Sequence, residues 1–156
     1  MTNNLNSLEK TLNYSFKNQS YLTKALTHSS KSKDNNERLE YLGDAVINLA
    51  VSEHLIKNFS DLDEGSLSIL RAKLVSRDTL SKLASNIELE SYLIMGKSLS
   101  NQENKKISIF GNAFEAIIGA IYLDENFDKA ATVVMYFLKE EIRSLTLNQI
   151  LSLIHI

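Results

Sequence analysis

Apolar residues recur at helical spacing along most of the chain, in blocks separated by short polar runs. Residues 6–14 and 18–27 read as two short amphipathic helices, the second carrying Tyr21, Leu22 and Leu26. The polar run HSSKSKDNN, residues 28–36, predicts a loop, and Asn35 or Asn36 is placed to cap a long helix from Glu37 to Lys57. Leu39, Leu42, Val46, Ile47, Leu49, Val51 and Leu55 cover nearly all sides of that helix, which makes it a central one. A second loop spans 58–65 and ends in Glu64-Gly65. Leu67, Leu70 and Leu74 mark the next helix, and Leu80, Leu83 and Ile87 another, capped at Asp78. A short apolar segment, Tyr92 to Met95, precedes a polar loop over 96–106. A strongly apolar helix follows over 107–124, then an amphipathic one after Asn126 with Phe127, Ala130, Val134 and Phe137. The pattern predicts an all-α fold in one domain, residues 1–147. Residues 148–156 end in ILSLIHI, an apolar tail that either adds a turn to the last helix or is a truncated linker or foreign sequence.

Composition narrows the chemistry. The 156 residues include no proline and five glycines, which favours helices. There is no cysteine, so disulfides and thiolate metal sites are excluded, and three scattered histidines argue against a His-rich zinc site. The start, MTNNLNSLEK, lacks the basic stretch and apolar run of a signal peptide. No window is read as approaching the roughly 20 apolar residues of a membrane helix, so a cytoplasmic location with no membrane partner is expected. A net charge of −2 argues mildly against a nucleic-acid partner. Acids that bind a cation would, however, lower the formal charge without describing the occupied site.

The acids are patterned. Glu37, Glu40 and Asp44 stand at i, i+3 and i+7, on one narrow face of an otherwise apolar helix. Alone, such a stripe reads as a solvated face with Arg38 and nearby lysines as partners. Asn112 and Glu115 change the weighing. They share a face of the other apolar helix, among Phe110, Phe114, Ile117, Ile118 and Ile121, where few polar side chains keep them company. Two buried helices that each carry acids on one face suggest that the faces meet. Carboxylate and amide oxygens without His or Cys suit Mg²⁺, with Mn²⁺ as a substitute, and such a site favours phosphoryl chemistry.

The string NERLEYLGDAVINL, residues 36–49, closely resembles the signature of the ribonuclease III family. Leu26-Thr27-His28-Ser29-Ser30, the run from Glu64-Gly65 to Leu74-Val75, and Phe114-Glu115 through Asp124 resemble further family segments in the family's order. The resemblance covers about residues 5–145. It implies the helical endonuclease-domain fold, a homodimer, and hydrolysis of double-stranded RNA to 5′-phosphate ends with short 3′ overhangs, in the processing of ribosomal and other RNA. It also implies that Glu40 and Glu115 are metal ligands, that Asp44 belongs to the catalytic shell, and that Glu37 supports a second metal ion or its waters. Asn112 takes the position of a further metal ligand. Tyr41 takes that of an aromatic plugging a pocket of the partner subunit; a core aromatic is the alternative. Arg71, Lys73, Lys97, Lys105 and Lys106 are candidates for phosphate contact, against a plainly solvated surface, and Asn36 is a further candidate RNA contact. His28 reads as a capping or packing histidine rather than a base.

The chain departs from the family in two ways. Asn112 stands where the family has aspartate, which keeps an oxygen ligand but removes a charge, so weaker Mg²⁺ binding is expected. Family members continue into a double-stranded-RNA-binding domain that is not read within these 156 residues, and without one RNA binding is expected to be weak and strongly salt-dependent. Two other readings compete. One is a catalytically impaired family member that binds structured RNA. The other is an unrelated all-α magnesium enzyme such as a nucleotide pyrophosphohydrolase, which leaves NERLEYLGD unexplained.

Overall fold

The structure is a computed structural model that describes residues 4–97 and 103–154, with side chains over 4–97 and 107–148. Its helices are α1 (Leu5–Leu12), α2 (Gln19–Ala25), α3 (Glu37–Asn58), α4 (Glu64–Leu74), α5 (Arg77–Asn86), α6 (Glu103–Asp124) and α7 (Phe127–Ile154), with a 3-10 turn at Leu89–Tyr92. The all-α expectation holds: among the described residues the only β-type pairing is an isolated bridge between Thr27 and Ile94.

Boundaries moved where local capping overrode the apolar pattern. Helix α1 stops at Leu12 because Asn13 adopts a left-handed conformation and its N–H closes the helix end. Helix α5 is capped by Ser76, whose hydroxyl accepts from Thr79 N, and not by Asp78. Helix α6 begins at Glu103, so the end of the expected 96–106 loop is helical; residues 98–102 lie outside the described part. Helix α7 continues to Ile154 in its backbone, so the tail extends the last helix.

Helix α6 lies at the centre and packs on α2, α3, α5 and α7. Phe114, Ile117, Ile118 and Ile121 are fully buried, each contributing about 1.5–3 kcal/mol by leaving water. One part of the membrane reading is corrected, the statement that no stretch approaches the length of a membrane helix. Residues Ile107–Asp124 are long and apolar enough to cross a bilayer, yet most of the stretch is buried inside the protein. Its apolarity serves the core.

The contact between α3 and α6 is the most extensive in the molecule, and two glycines set it. A Cβ at Gly43 would lie 1.7 Å from the Glu115 carbonyl oxygen, and one at Gly119 would lie 2.2 Å from the Leu39 carbonyl oxygen. The two backbones therefore touch, which only residues without a side chain permit.

Candidate metal-binding site

The glycine crossing brings the two acidic stripes together. Glu40 and Asp44 flank Gly43 on α3, and Glu115 lies one turn before Gly119 on α6. An open cavity of about 490 Å³ forms beside the crossing. Glu37, Glu40, Asp44, Asn112 and Glu115 all line it, with Tyr41 at its edge. Val75, Leu80 and Gly111 supply apolar wall, and Arg77 from the start of α5 completes it. All five sequence-predicted oxygen donors thus meet in one place.

Their charges are poorly tolerated as they stand. Burial raises the pKa of Glu115, and a hydrogen bond with Asp44 and the charges of Asp44 and Glu40 add to it. Arg77 opposes the rise, but the carboxyl is still pushed up to about 8. Glu40 is also raised, first by burial, then by the charges of Glu37 and Asp44, again against Arg77. A cation in the cavity would offset the burial and crowding that raise Glu40 and Glu115 and would favour their ionised forms. The donor set of carboxylates plus one amide oxygen fits a hard divalent cation such as Mg²⁺ or Mn²⁺. Asn48 steadies the rim, its amide donating to the Asp44 carbonyl at 2.9 Å and, more weakly, to Asp44 Oδ1 at 3.4 Å.

Other expected residues fall elsewhere. Tyr41 is 82% exposed, which excludes the core-aromatic alternative. Asn36 is corrected. It is buried, and its amide donates to the Ala25 carbonyl at 3.1 Å, so it ties the start of α3 to α2 and has no surface with which to meet RNA. Asn35 does the capping, its Oδ1 accepting from Glu37 N at 3.0 Å. Arg71 and Lys73 do not line the acid cavity. Arg71 lines a separate hollow and donates to Ser52 Oγ at 2.9 Å, while Lys73 is exposed on α4. Lys97 is exposed, and the side chains of Lys105 and Lys106 lie outside the described part. His28 is a local capping residue, its Nδ1 accepting from Ser30 N at 3.0 Å.

Sequence reading missed Arg77. Nothing in its neighbourhood distinguishes it from Arg71 or Lys73, because its place in the cavity depends on how α5 packs across α6. Ser81 Oγ donates to the Ile107 carbonyl at 2.7 Å, and Gly111 lets the two helices close.

The chain is similar to known proteins in sequence and in fold. A family model described as ribonuclease-III-like matches residues 18–142. Ribonuclease 3 of Francisella tularensis subsp. holarctica is 46% identical over 139 residues, covering 89% of this chain and 60% of that protein. Ribonuclease 3 of Pseudomonas putida is 46% identical over 148 residues, covering 94% of this chain and 65% of that protein. The chain therefore spans less than two thirds of the length of these relatives. Among solved structures, the nuclease domain of ribonuclease III from Campylobacter jejuni superposes with a TM-score of 0.84 at 42% identity, covering 88% of this chain and 97% of that one. That structure is described in terms of flexibility in a region involved in dimer formation.

Proposed function

We infer the function from one premise: the chain belongs to the ribonuclease-III-like family. The acid cavity is the hydrolytic centre of an endoribonuclease that cuts double-stranded RNA with Mg²⁺. The observation that carries this reading is the convergence of Glu37, Glu40, Asp44, Asn112 and Glu115 on one cavity, with Glu115 pushed up to about 8.

Glu40, Glu115 and Asn112 would hold the cation, with Asp44 beside them to orient water or metal and Glu37 to support a second ion or its waters. A bound divalent cation would supply activated water and neutralise charge on the phosphate and the leaving oxygen. The chain's own residues do the rest. The apolar wall of Val75 and Leu80 limits water on one side of the carboxylates, which strengthens their hold on a cation. Asp44 beside Glu115 helps to hold the Glu115 carboxyl protonated, so the pair would be ready to take up a cation in place of a proton. The products would carry 5′-phosphates and short 3′ overhangs, with ribosomal-RNA precursors among the substrates and the cytoplasm as the compartment. Two copies would pair, with the exposed Tyr41 as an anchor in the partner.

The test is a labelled RNA duplex at low salt with Mg²⁺, Mn²⁺ or EDTA, with Glu115→Ala as control. Metal-dependent cuts on both strands, offset to leave 3′ overhangs and absent in the control, are expected. A folded protein that retains the duplex without cutting it would replace this reading with that of an impaired RNA binder, which Asn112 in the ligand set would then explain. Asn112→Asp is expected to lower the half-saturating Mg²⁺ concentration roughly tenfold, about 1.4 kcal/mol for the added charge. An unchanged Mg²⁺ titration would refute that role for Asn112.

A further inference from the structure

Arg77 is the one cationic side chain lining the acid cavity among the described residues. It is exposed, and it forms no ion pair among the described residues. It is nonetheless close enough for its charge to act on both Glu40 and Glu115. Its backbone is held firmly. It opens α5 directly after the Ser76 cap, Thr79 Oγ1 donates to the Lys73 carbonyl at 2.8 Å, and Ser81 fastens α5 to α6.

Two features argue against a purely structural counter-ion. A guanidinium that served only to balance the acids would be expected to lie in a fixed pair with one of them, and none is formed. A cation in the first turn of a helix also faces the positive end of the helix dipole, a position that favours acids. What the placement does suit is an anion arriving from solvent. A divalent cation bound to the carboxylates would weaken their attraction for the guanidinium, and its planar fork of N–H donors would then be available to an anion at the cavity.

We propose that Arg77 is a phosphate clamp, whose guanidinium donates to non-bridging oxygens of an RNA phosphate lying across the acid cavity. The proposal rests on the ribonuclease reading and deepens it by naming the group that holds the substrate backbone at the site. Bidentate donation to phosphate is the geometry that arginine supplies and lysine does not.

The experiment compares Arg77→Gln and Arg77→Lys with the unaltered protein. Binding of a labelled RNA duplex is followed by fluorescence anisotropy across a salt series, in a Glu115→Gln background so that the duplex stays intact. Arg77→Gln should weaken binding roughly tenfold and reduce the steepness of the log–log salt dependence by about 0.9, the share of one phosphate contact. Arg77→Lys should restore the salt slope but only part of the affinity. In single-turnover cleavage with Glu115 restored, Arg77→Gln should raise the half-saturating enzyme concentration. The melting temperature in EDTA should stay unchanged. Unaltered affinity and salt slope in Arg77→Gln would overturn the proposal. So would a fall in melting temperature with RNA binding intact, since that marks a counter-ion. Failure of the ribonuclease reading is separately visible: the protein with Arg77 intact would neither retain nor cut the duplex, and the clamp would fall with it.

Discussion

Glu115 and Asp124 lie about 13 Å apart along the axis of helix α6, and the protein treats them in opposite ways. Asp124, at the C-terminal end, has its charge fully provided for. Its oxygens accept from Tyr14 Oη at 2.6 Å, Lys17 N at 2.8 Å and Asn18 N at 2.9 Å. Burial alone would raise its pKa, but these bonds and the Lys17 charge outweigh that and hold it below the usual aspartate range. Glu115, near the middle, is surrounded by other acids, and its pKa is pushed up to about 8. A carboxylate given donors fastens the fold, here by tying the segment between α1 and α2 to the end of α6. A carboxylate denied them is a cost that the fold bears, and it is the kind of position that the proposed cation would relieve.

The contrast breaks most sharply on exchange of the two residues' fates. Glu115→Ala should reduce Mg²⁺-dependent RNA cleavage by at least about a thousandfold, roughly 4 kcal/mol of transition-state stabilisation, while the melting temperature in EDTA holds or rises. A clear loss of stability in Glu115→Ala would mean that the residue is structural. Gly43→Ala should damage fold and site together, costing more than about 3 kcal/mol in denaturant unfolding. Its new Cβ would meet the Glu115 carbonyl, and neither backbone can move aside cheaply. Near-native stability in that variant would show that the helix crossing is looser than the backbone contact implies.

Asp124→Ala should do the reverse of Glu115→Ala. It should cost about 2 kcal/mol in denaturant unfolding through its orphaned donors, with cleavage per folded molecule unchanged. The smallest effect is the pH dependence, whose sign differs between the two acids. Asp124 is lowered, so its contribution is present above its ordinary pKa and is lost as pH falls through the lowered one. Glu115 is raised, so in metal-free protein its contribution is present below its ordinary pKa and is lost as pH rises through about 8. Melting temperatures in EDTA should therefore fall as pH rises from the ordinary glutamate range to about 8, and Glu115→Gln should flatten that decline. A flat profile in the unaltered protein would deny the crowding of the acids.

Much of this site was legible in the chain. The i, i+3, i+7 spacing placed Glu37, Glu40 and Asp44 on one face, and the apolar surroundings of Asn112 and Glu115 made a solvated stripe implausible there. Both inferences rest on helical periodicity, a local property. The errors share a cause too. Asn36 looked like a surface residue because it ends a polar run, but the path of that loop buries it against α2. Ser76 took the cap expected of Asp78 through a local competition that apolar spacing does not register. Arg77 carried no mark in the sequence at all.

The sequence by itself determined the helices, the two acidic faces and the oxygen-only character of the ligand set, because each follows from side-chain chemistry and the 3.6-residue turn. Only the tertiary structure decided that the faces meet, that Tyr41 stands exposed, and that Arg77 closes the ring of acids. Those outcomes depend on helices far apart in the chain packing at Gly43 and Gly119, where the absence of a side chain lets backbone approach backbone, and at Gly111, which leaves room for the Ser81 hydroxyl.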